Sequence, residues 1–401
     1  MIDTITFKNY KIFKERQTIK LKPISILIGK NNSGKSAIAK LPTLIENSLE
    51  TDFPEPIILS QNDIELGAEL RDLVYGKSLR VLEFDLACKE QRLSIGTLIS
   101  QEKNKQISTI ASWKLNGEVS LEDNGDKKTY TDLISGKQVD CAFQGFRLVQ
   151  SEDPAILEKS ENAAPAFSLR TDFIGPIRTS PLRDYRLPAS FNLEKSGAFG
   201  ENAYLFLIED ALTTDKRLLT DVSKWYRENF EGWELKVNQD KSPLFQIEIH
   251  RKDLKQNIVD TGIGMGQVLP IVVRALKKCS EETLVIIEEP ETHLHPAAHG
   301  NLASLIAGSL KQGNKKYLIE THSLNFVLRL RRMVAEGTLA AEDLGIYYVD
   351  FLEENNFSVV KEIEVDSFGR VNEWPEGVFN ETLTETVGIR TAQLENPDYG
   401  N

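Results

Sequence analysis

The eight residues Gly29-Lys30-Asn31-Asn32-Ser33-Gly34-Lys35-Ser36 follow the pattern G-x-x-x-x-G-K-[ST], with the apolar run PISILIG before them and a helical pattern after. Such a loop serves phosphate chemistry. Its glycines let backbone N–H groups wrap phosphates, and the helix N-terminus adds favourable partial charge. Lys35 is placed to reach the β- and γ-phosphates, and the Ser36 hydroxyl to ligate Mg2+. A second segment, Leu284-Val285-Ile286-Ile287-Glu288-Glu289-Pro290, is an apolar run ending in two carboxylates. Glu288 stands where an acid organises Mg2+, and Glu289 where a carboxylate orients or deprotonates an attacking water. Together the two segments predict binding and hydrolysis of ATP with Mg2+.

Asp260-Thr261-Gly262-Ile263-Gly264-Met265-Gly266-Gln267 is a third candidate, a glycine-rich turn before an apolar helix. Gly262, Gly264, Gly266 and Gln267 permit close backbone approach to an anion, although a ligand-free strand-to-helix turn has the same composition. Four of the five histidines, His293, His295, His299 and His322, fall within thirty residues or so. A metal site is one reading of that cluster. The other places His322 at the end of the strand KYLIE, where an imidazole can touch a γ-phosphate and sense its loss.

These residues need buried strands to hold them. The runs around Ile24–Ile28, VIIEEP and KKYLIETHS read as strands, and Ser36–Ser48, Ala297–Leu310 and Leu324–Val334 as helices. Alternation of this kind predicts a largely parallel, helix-covered sheet with ligand loops at the strand ends. Between them, RVLEFDLA, RLSIGTLI and STIASWKL read as an antiparallel insertion, followed by a helical stretch over Glu201–Phe230. The expected organisation is an ATPase core from residues 1–50 and 231–401, with 51–230 inserted as a β-rich and helical lobe. No heptad run suggests a coiled-coil arm.

Composition narrows the setting. With 401 residues, 40% hydrophobic and 27% charged, the chain can bury a sizeable core. Its net charge of −12 argues against a uniformly basic nucleic-acid coat, yet the first forty residues are Lys-rich and the segment from Glu342 is acidic. No apolar run suits a membrane span, no charged-then-apolar leader opens the chain, and Cys88, Cys141 and Cys279 lack metal-ligand spacing. A cytoplasmic protein with reduced thiols is expected.

In this order, GKNNSGKS, DTGIGMGQ, VIIEEPETHLHP and LIETHS, with the opening FKNYKIF, resemble the SMC-like branch of ABC-type ATPases. Within that branch the chain is most similar to RecF and to the overcoming-lysogenization-defect (OLD) ATPases. The segments FIGPIRTSPLRDY, GAFGENA and GRVNEWPEGVF also resemble the short stand-alone bacterial members. The resemblance implies a two-lobed P-loop NTPase head that dimerises around nucleotide. Gly29–Ser36 of one subunit would face Gly262–Gln267 of the other, Ser36 and Glu288 would hold the metal, Glu289 would act on water and His322 would switch. Glu288 departs from the usual Asp, and the glutamine-loop residue is not identified, with Gln61 and Gln150 as candidates.

Nuclease relatives carry a Toprim domain after the switch histidine. Residues 323–401 lack its Glu…Asp-x-Asp pattern. The expectation is therefore a homodimeric or larger ATPase that controls a separate effector, such as a nuclease, in antiphage defence. A RecF-like ATPase that clamps duplex DNA and a weakly hydrolysing scaffold that sequesters a toxin are the alternatives.

Overall fold

The computed structural model describes the chain except for residues 62, 79, 103–104, 189–193, 242, 376–377, 380 and 396–401. The GRVNEWPEGVF segment therefore lies partly outside the described residues. Among them, the central sheet has six strands, ordered Thr171–Ile174, Thr283–Glu288, Lys315–Glu320, Ile24–Ile28, Leu344–Leu352 and Phe357–Ile363. The first five run parallel, and the last closes a hairpin. The fold is that of a P-loop NTPase, a parallel-to-mixed sheet beside a second, antiparallel one.

Both faces of this sheet are covered, which explains why its strands are apolar without alternation. Successive side chains point to opposite faces. Leu27, Leu284, Ile286, Leu318 and Val349 share one core with the Lys35–Glu50 helix and the antiparallel sheet. Ile26, Ile28, Val285, Ile287 and Ile319 share the other with the helices Ile263–Leu276, Pro296–Ser309 and Leu324–Ala335. The Lys35–Glu50 helix is consequently buried over nearly its whole length, with Ile38, Leu41, Leu44 and Ile45 at most 1% exposed.

The sheets divide the chain differently from the expected core and insertion. Thr4–Lys8 and Gln17–Lys20, from the expected core, join the nine-stranded antiparallel sheet, where Thr4–Lys8 pairs with Leu82–Cys88. Conversely Thr171–Ile174, from the expected insertion, is an edge strand of the central sheet. Its run TDFI is wholly buried and too short to carry a recognisable period. Glu234–Lys241, Leu244–Arg251 and Leu254–Asn257, expected in the core, form a separate three-stranded sheet among the described residues. The single helical stretch expected at Glu201–Phe230 is two helices, Asn202–Ala211 and Arg217–Asn229. Asp210 accepts from the Leu219 amide at 2.8 Å and Lys216 turns to φ 45°, so local side-chain bonding ends the first helix and starts the second.

One buried ion pair ties the edge strand to the helix that follows the glycine turn. Arg274 Nε lies 2.7 Å from Asp172, with both side chains at most 3% exposed, and Asp172 also accepts from the Ser196 amide and hydroxyl. Removing one partner leaves an uncompensated buried charge. Arg274→Ala is expected to cost about 3–5 kcal/mol of stability, measured by chemical denaturation, with a loss below about 1 kcal/mol contradicting this account.

Candidate functional site

The phosphate loop begins where the buried Ile24–Ile28 strand ends. Gly29 turns at φ 149°, and a Cβ there would lie 2.2 Å from the Val349 carbonyl oxygen. Gly34 turns at φ 102°, and a Cβ there would meet Phe13 and Ile12 at 2.8–2.9 Å. Only glycine fits either position. Gly34 precedes the Lys35–Glu50 helix with no side-chain cap, so the first-turn amides are directed to whatever the loop holds. Lys35 Nζ donates to the carbonyls of Gly29 at 3.0 Å and Lys30 at 2.8 Å and stands 3.9 Å from Glu320. Burial lowers its pKa, while Glu320 and Glu289 oppose the shift.

The loop opens onto a cavity of about 480 Å³ lined by Asn31, Asn32, Gly34, Lys35, Ser36, Lys40, Glu289, Glu320 and His322. Tyr10, Lys11 and Ile12 of the opening FKNYKIF complete one wall. Neither Gln61 nor Gln150 lines it. Gln61 sits in a two-residue strand and Gln150 on the edge strand Arg147–Ser151.

Parallel pairing puts the carboxylates together. Thr283–Glu288 and Lys315–Glu320 end level, with Glu288 and Glu320 as register partners, each 4% exposed. Burial, joined by the Glu320 carboxyl, pushes Glu288 up to about 8 against the pull of Lys40. Burial also raises Glu320, opposed by its hydrogen bond to Ser36 and by Lys35. Glu288 Oε1 and Glu320 Oε2 are buried without a hydrogen-bond partner. Sequence reasoning passed over Glu320. Its signal was a second apolar run ending in Glu, 32 residues after the first.

Glu289, next along, adopts φ 48°. A non-glycine residue in this left-handed region is strained and must be held by its surroundings. Its amide donates to the Glu320 carbonyl at 2.8 Å, and Thr292 Oγ1 donates to its carboxylate at 3.0 Å. The side chain lines the cavity. Beneath the loop, Arg178 Nη2 donates to the carbonyls of Glu288 at 2.9 Å and Glu289 at 2.6 Å. Arg178 lies within FIGPIRTSPLRDY, but nothing in that segment alone indicated its contacts.

His322 lines the cavity, and its amide donates to Glu291 at 2.6 Å. Burial and then Lys35 lower its pKa, with Glu289 opposing. Two neighbouring histidines are otherwise engaged. His295 caps the Pro296–Ser309 helix, and His299 bonds Ser323 and the Leu294 carbonyl. Among the described residues no group of three or more His, Cys, Asp or Glu is arranged for a metal ion.

The glycine turn stands apart from this cavity. Gly262 and Ile263 are exposed, and a Cβ on Gly262 would meet nothing within 4 Å. The next two glycines serve their own chain. A Cβ on Gly264 would lie 2.4 Å from the His293 carbonyl oxygen, and one on Gly266 would lie 2.7 Å from Pro181. Gln267 is buried and donates to the Arg178 carbonyl at 3.0 Å, so its side chain turns inward.

A family model described as the AAA ATPase domain matches residues 1–165 and 201–327. The chain belongs to that AAA ATPase family. A second family model, described as a protein of unknown function (DUF3696), matches residues 339–387. No curated protein matches. Three solved structures are similar to the chain at 11% identity. The SMC head bound to the C-winged helix domain of ScpA covers 90% of this chain and 98% of its own, at a TM-score of 0.44. The SMC head domain from Thermotoga maritima covers 91% and 99%, at 0.40. The SMC head with an extended coiled coil, bound to the C-terminal domain of ScpA derived from Pyrococcus furiosus, covers 97% and 99%, at 0.44. No helix among the described residues is long and apolar enough to cross a membrane.

The raised Glu288 pKa carries a stability consequence for this AAA ATPase domain. A carboxyl whose folded value lies near 8 and whose unfolded value is about 4.3 contributes stability at low pH that is lost as pH rises through that window. Glu288→Gln has no such ionisation. In metal- and nucleotide-free protein, its stability advantage over wild type should grow between about pH 5 and about pH 8. Denaturation at both pH values checks this, and an unchanged gap would contradict the buried-carboxyl assignment.

Proposed function

We propose that this protein is an ATP-hydrolysing regulatory ATPase, two copies of which close around nucleotide to control a separate effector, such as a nuclease, in bacterial antiphage defence. The observation that carries the ATPase reading is the convergence of Lys35, Ser36, Glu289, Glu320 and His322 on one cavity at the ends of three parallel strands. The regulatory and antiphage part rests on the resemblance to stand-alone OLD-type ATPases.

In this reading Lys35 exchanges its two loop carbonyls for β- and γ-phosphate oxygens, and the amides of residues 30–36 wrap the phosphates. Ser36 and Glu288, with Glu320 beside them, present the hard oxygen donors that suit Mg2+, and the partnerless Glu288 Oε1 and Glu320 Oε2 fit that role. Mg2+ there supplies neutralisation of developing phosphate charge. Glu289, fixed by Thr292 and its left-handed backbone, orients the attacking water and takes its proton. His322, across the cavity, contacts the γ-phosphate. Catalysis is then mostly positioning and charge stabilisation, as phosphoryl transfer demands.

The dimer reading draws on the exposed Gly262–Ile263 corner, which lies outside its own chain's cavity and has room for an incoming phosphate. In the dimer this corner meets the partner's γ-phosphate.

Three experiments test the proposal. Glu289→Gln should bind ATP, lower turnover about 10²–10⁴-fold and accumulate as a nucleotide-bound dimer. Unchanged turnover would move the base elsewhere, and retained ATP binding by Lys35→Ala would dismiss the phosphate-loop assignment.

The shared site is tested by mixing Lys35→Ala chains with Gly262→Asp chains. Gly262 is the better choice than Gly264, where a side chain would strike the chain's own His293 carbonyl. Each variant alone should be inactive, the second because its carboxylate opposes the γ-phosphate. Mass-tagged mixed dimers should recover activity, since one of their two interfaces is intact. Full activity of Gly262→Asp alone would rule out the shared site.

A further inference from the structure

Arg178 is 4% exposed, and its guanidinium is committed to backbone rather than to a carboxylate. One nitrogen, Nη2, serves the carbonyls of both Glu288 and Glu289, while Nε and Nη1 are buried without partners. Burial lowers the Arg178 pKa to about 10, opposed by Glu291 and Glu289, so the group is cationic at neutral pH. On its other side the Arg178 carbonyl accepts the Gln267 side-chain amide. Gln267 lies five residues beyond Gly262, in the first turns of the Ile263–Leu276 helix.

This arrangement answers a problem set by Glu289. Its left-handed backbone has no glycine to relax it, and it turns two consecutive carbonyls into a buried space. Buried carbonyls require donors. A strained backbone persists only where its surroundings over-determine it. Arg178 meets both needs with two charge-assisted hydrogen bonds from one nitrogen. It touches neither the cavity nor the Glu289 carboxylate through any hydrogen bond, so its effect on chemistry runs through the backbone it holds.

We infer that Arg178 is a positioning residue for Glu289, and that Gln267 and Arg178 form a bridge carrying the position of the glycine turn to the water-orienting carboxylate of the same chain. Whatever docks at Gly262–Ile263 thereby bears on hydrolysis in the chain that presents that turn. This inference rests on the assignment of Glu289 as the water-orienting group.

The test compares Arg178→Lys, Gln267→Met and Glu289→Gln, singly and combined, by Mg2+·ATP affinity and by kcat. Arg178→Lys keeps the charge, but its shorter side chain ends short of the Nη2 position that bridges the two carbonyls. It should lower kcat about 10²-fold, the scale of a misplaced catalytic group, and leave ATP affinity within about threefold. On the Glu289→Gln background it should cost nothing further, because the group it positions is already gone. Gln267→Met keeps shape and removes only the bond to Arg178. It should lower kcat in the same direction and be non-additive with Arg178→Lys. Wild-type kcat in Arg178→Lys, an equal further loss on the Glu289→Gln background, or joint loss of affinity and kcat in both Arg178→Lys and Gln267→Met would each overturn the bridge. Should Arg178→Lys fail to fold, the Gln267→Met arm decides alone. Were Glu289→Gln itself to turn over normally, the assignment beneath the inference would fall, and the bridge with it. Slow Glu289→Gln with fast Arg178→Lys would reject the bridge only.

Discussion

Two parallel strands that end at the same level in carboxylates set the terms for the rest of this structure. Register pairing forces Glu288 and Glu320 together in a place water scarcely reaches. Two like charges there cannot both ionise without a cation. Lys35, itself desolvated and held by its loop's carbonyls, stands beside Glu320, and Lys40 acts on Glu288. Glu288, Glu320 and Lys35 are each costly to bury alone; the contact between Lys35 and Glu320 offsets part of that cost, while the second carboxyl adds to it. Around this cluster lie the strained Glu289, the buried Arg178 that holds its carbonyl and the two positions that only glycine can occupy.

Holding such a cluster takes rigidity on both sides of the sheet. Apolar side chains of the central strands alternate between two cores, one formed with the Lys35–Glu50 helix and the antiparallel sheet, the other with the remaining helices. The antiparallel sheet thus does more than decorate an ATPase core. It roofs the phosphate-loop helix, and its first strands bring Tyr10, Lys11 and Ile12 to the cavity wall. The buried Arg274–Asp172 pair pins the helix of the glycine turn to the edge strand, so the turn and the carboxylate loop share one support.

What could be read from the residues depended on how local the determining contacts are. The phosphate loop was legible because strand, glycines, Lys35 and Ser36 are contiguous and each has its own chemical reason. The strand before Glu289 was legible for the same reason. Glu320 was not, because its significance comes from a partner 32 residues earlier, and register is a property of two strands. The short segments found in the other sheet, Thr4–Lys8, Gln17–Lys20 and Thr171–Ile174, carry β character but no statement of which neighbour they pair with. Gly264 and Gly266 looked like positions open to a ligand. Their tight approach to His293 and Pro181 is a tertiary fact that composition cannot express.

The charge balance of the cavity argues for what belongs in it. Lys11, Lys35 and Lys40 face Glu65, Glu289 and Glu320 across the lining, and Glu288 sits just behind. The lysines come from the Lys-rich start of a chain whose net charge is −12, so positive charge is concentrated where an acidic protein otherwise has little to spare. A bare triphosphate placed here would meet at least as many carboxylates as cations and would be repelled by Glu289 and Glu320. On the proposed assignment, the same triphosphate accompanied by a divalent cation would find oxygen donors for the metal at Ser36, Glu288 and Glu320 and cations for its remaining oxygens. The excess of acid at the strand ends is thus a selective feature. On that assignment it would disfavour phosphate without metal and leave the metal complex as the species for which all of these buried groups are satisfied together.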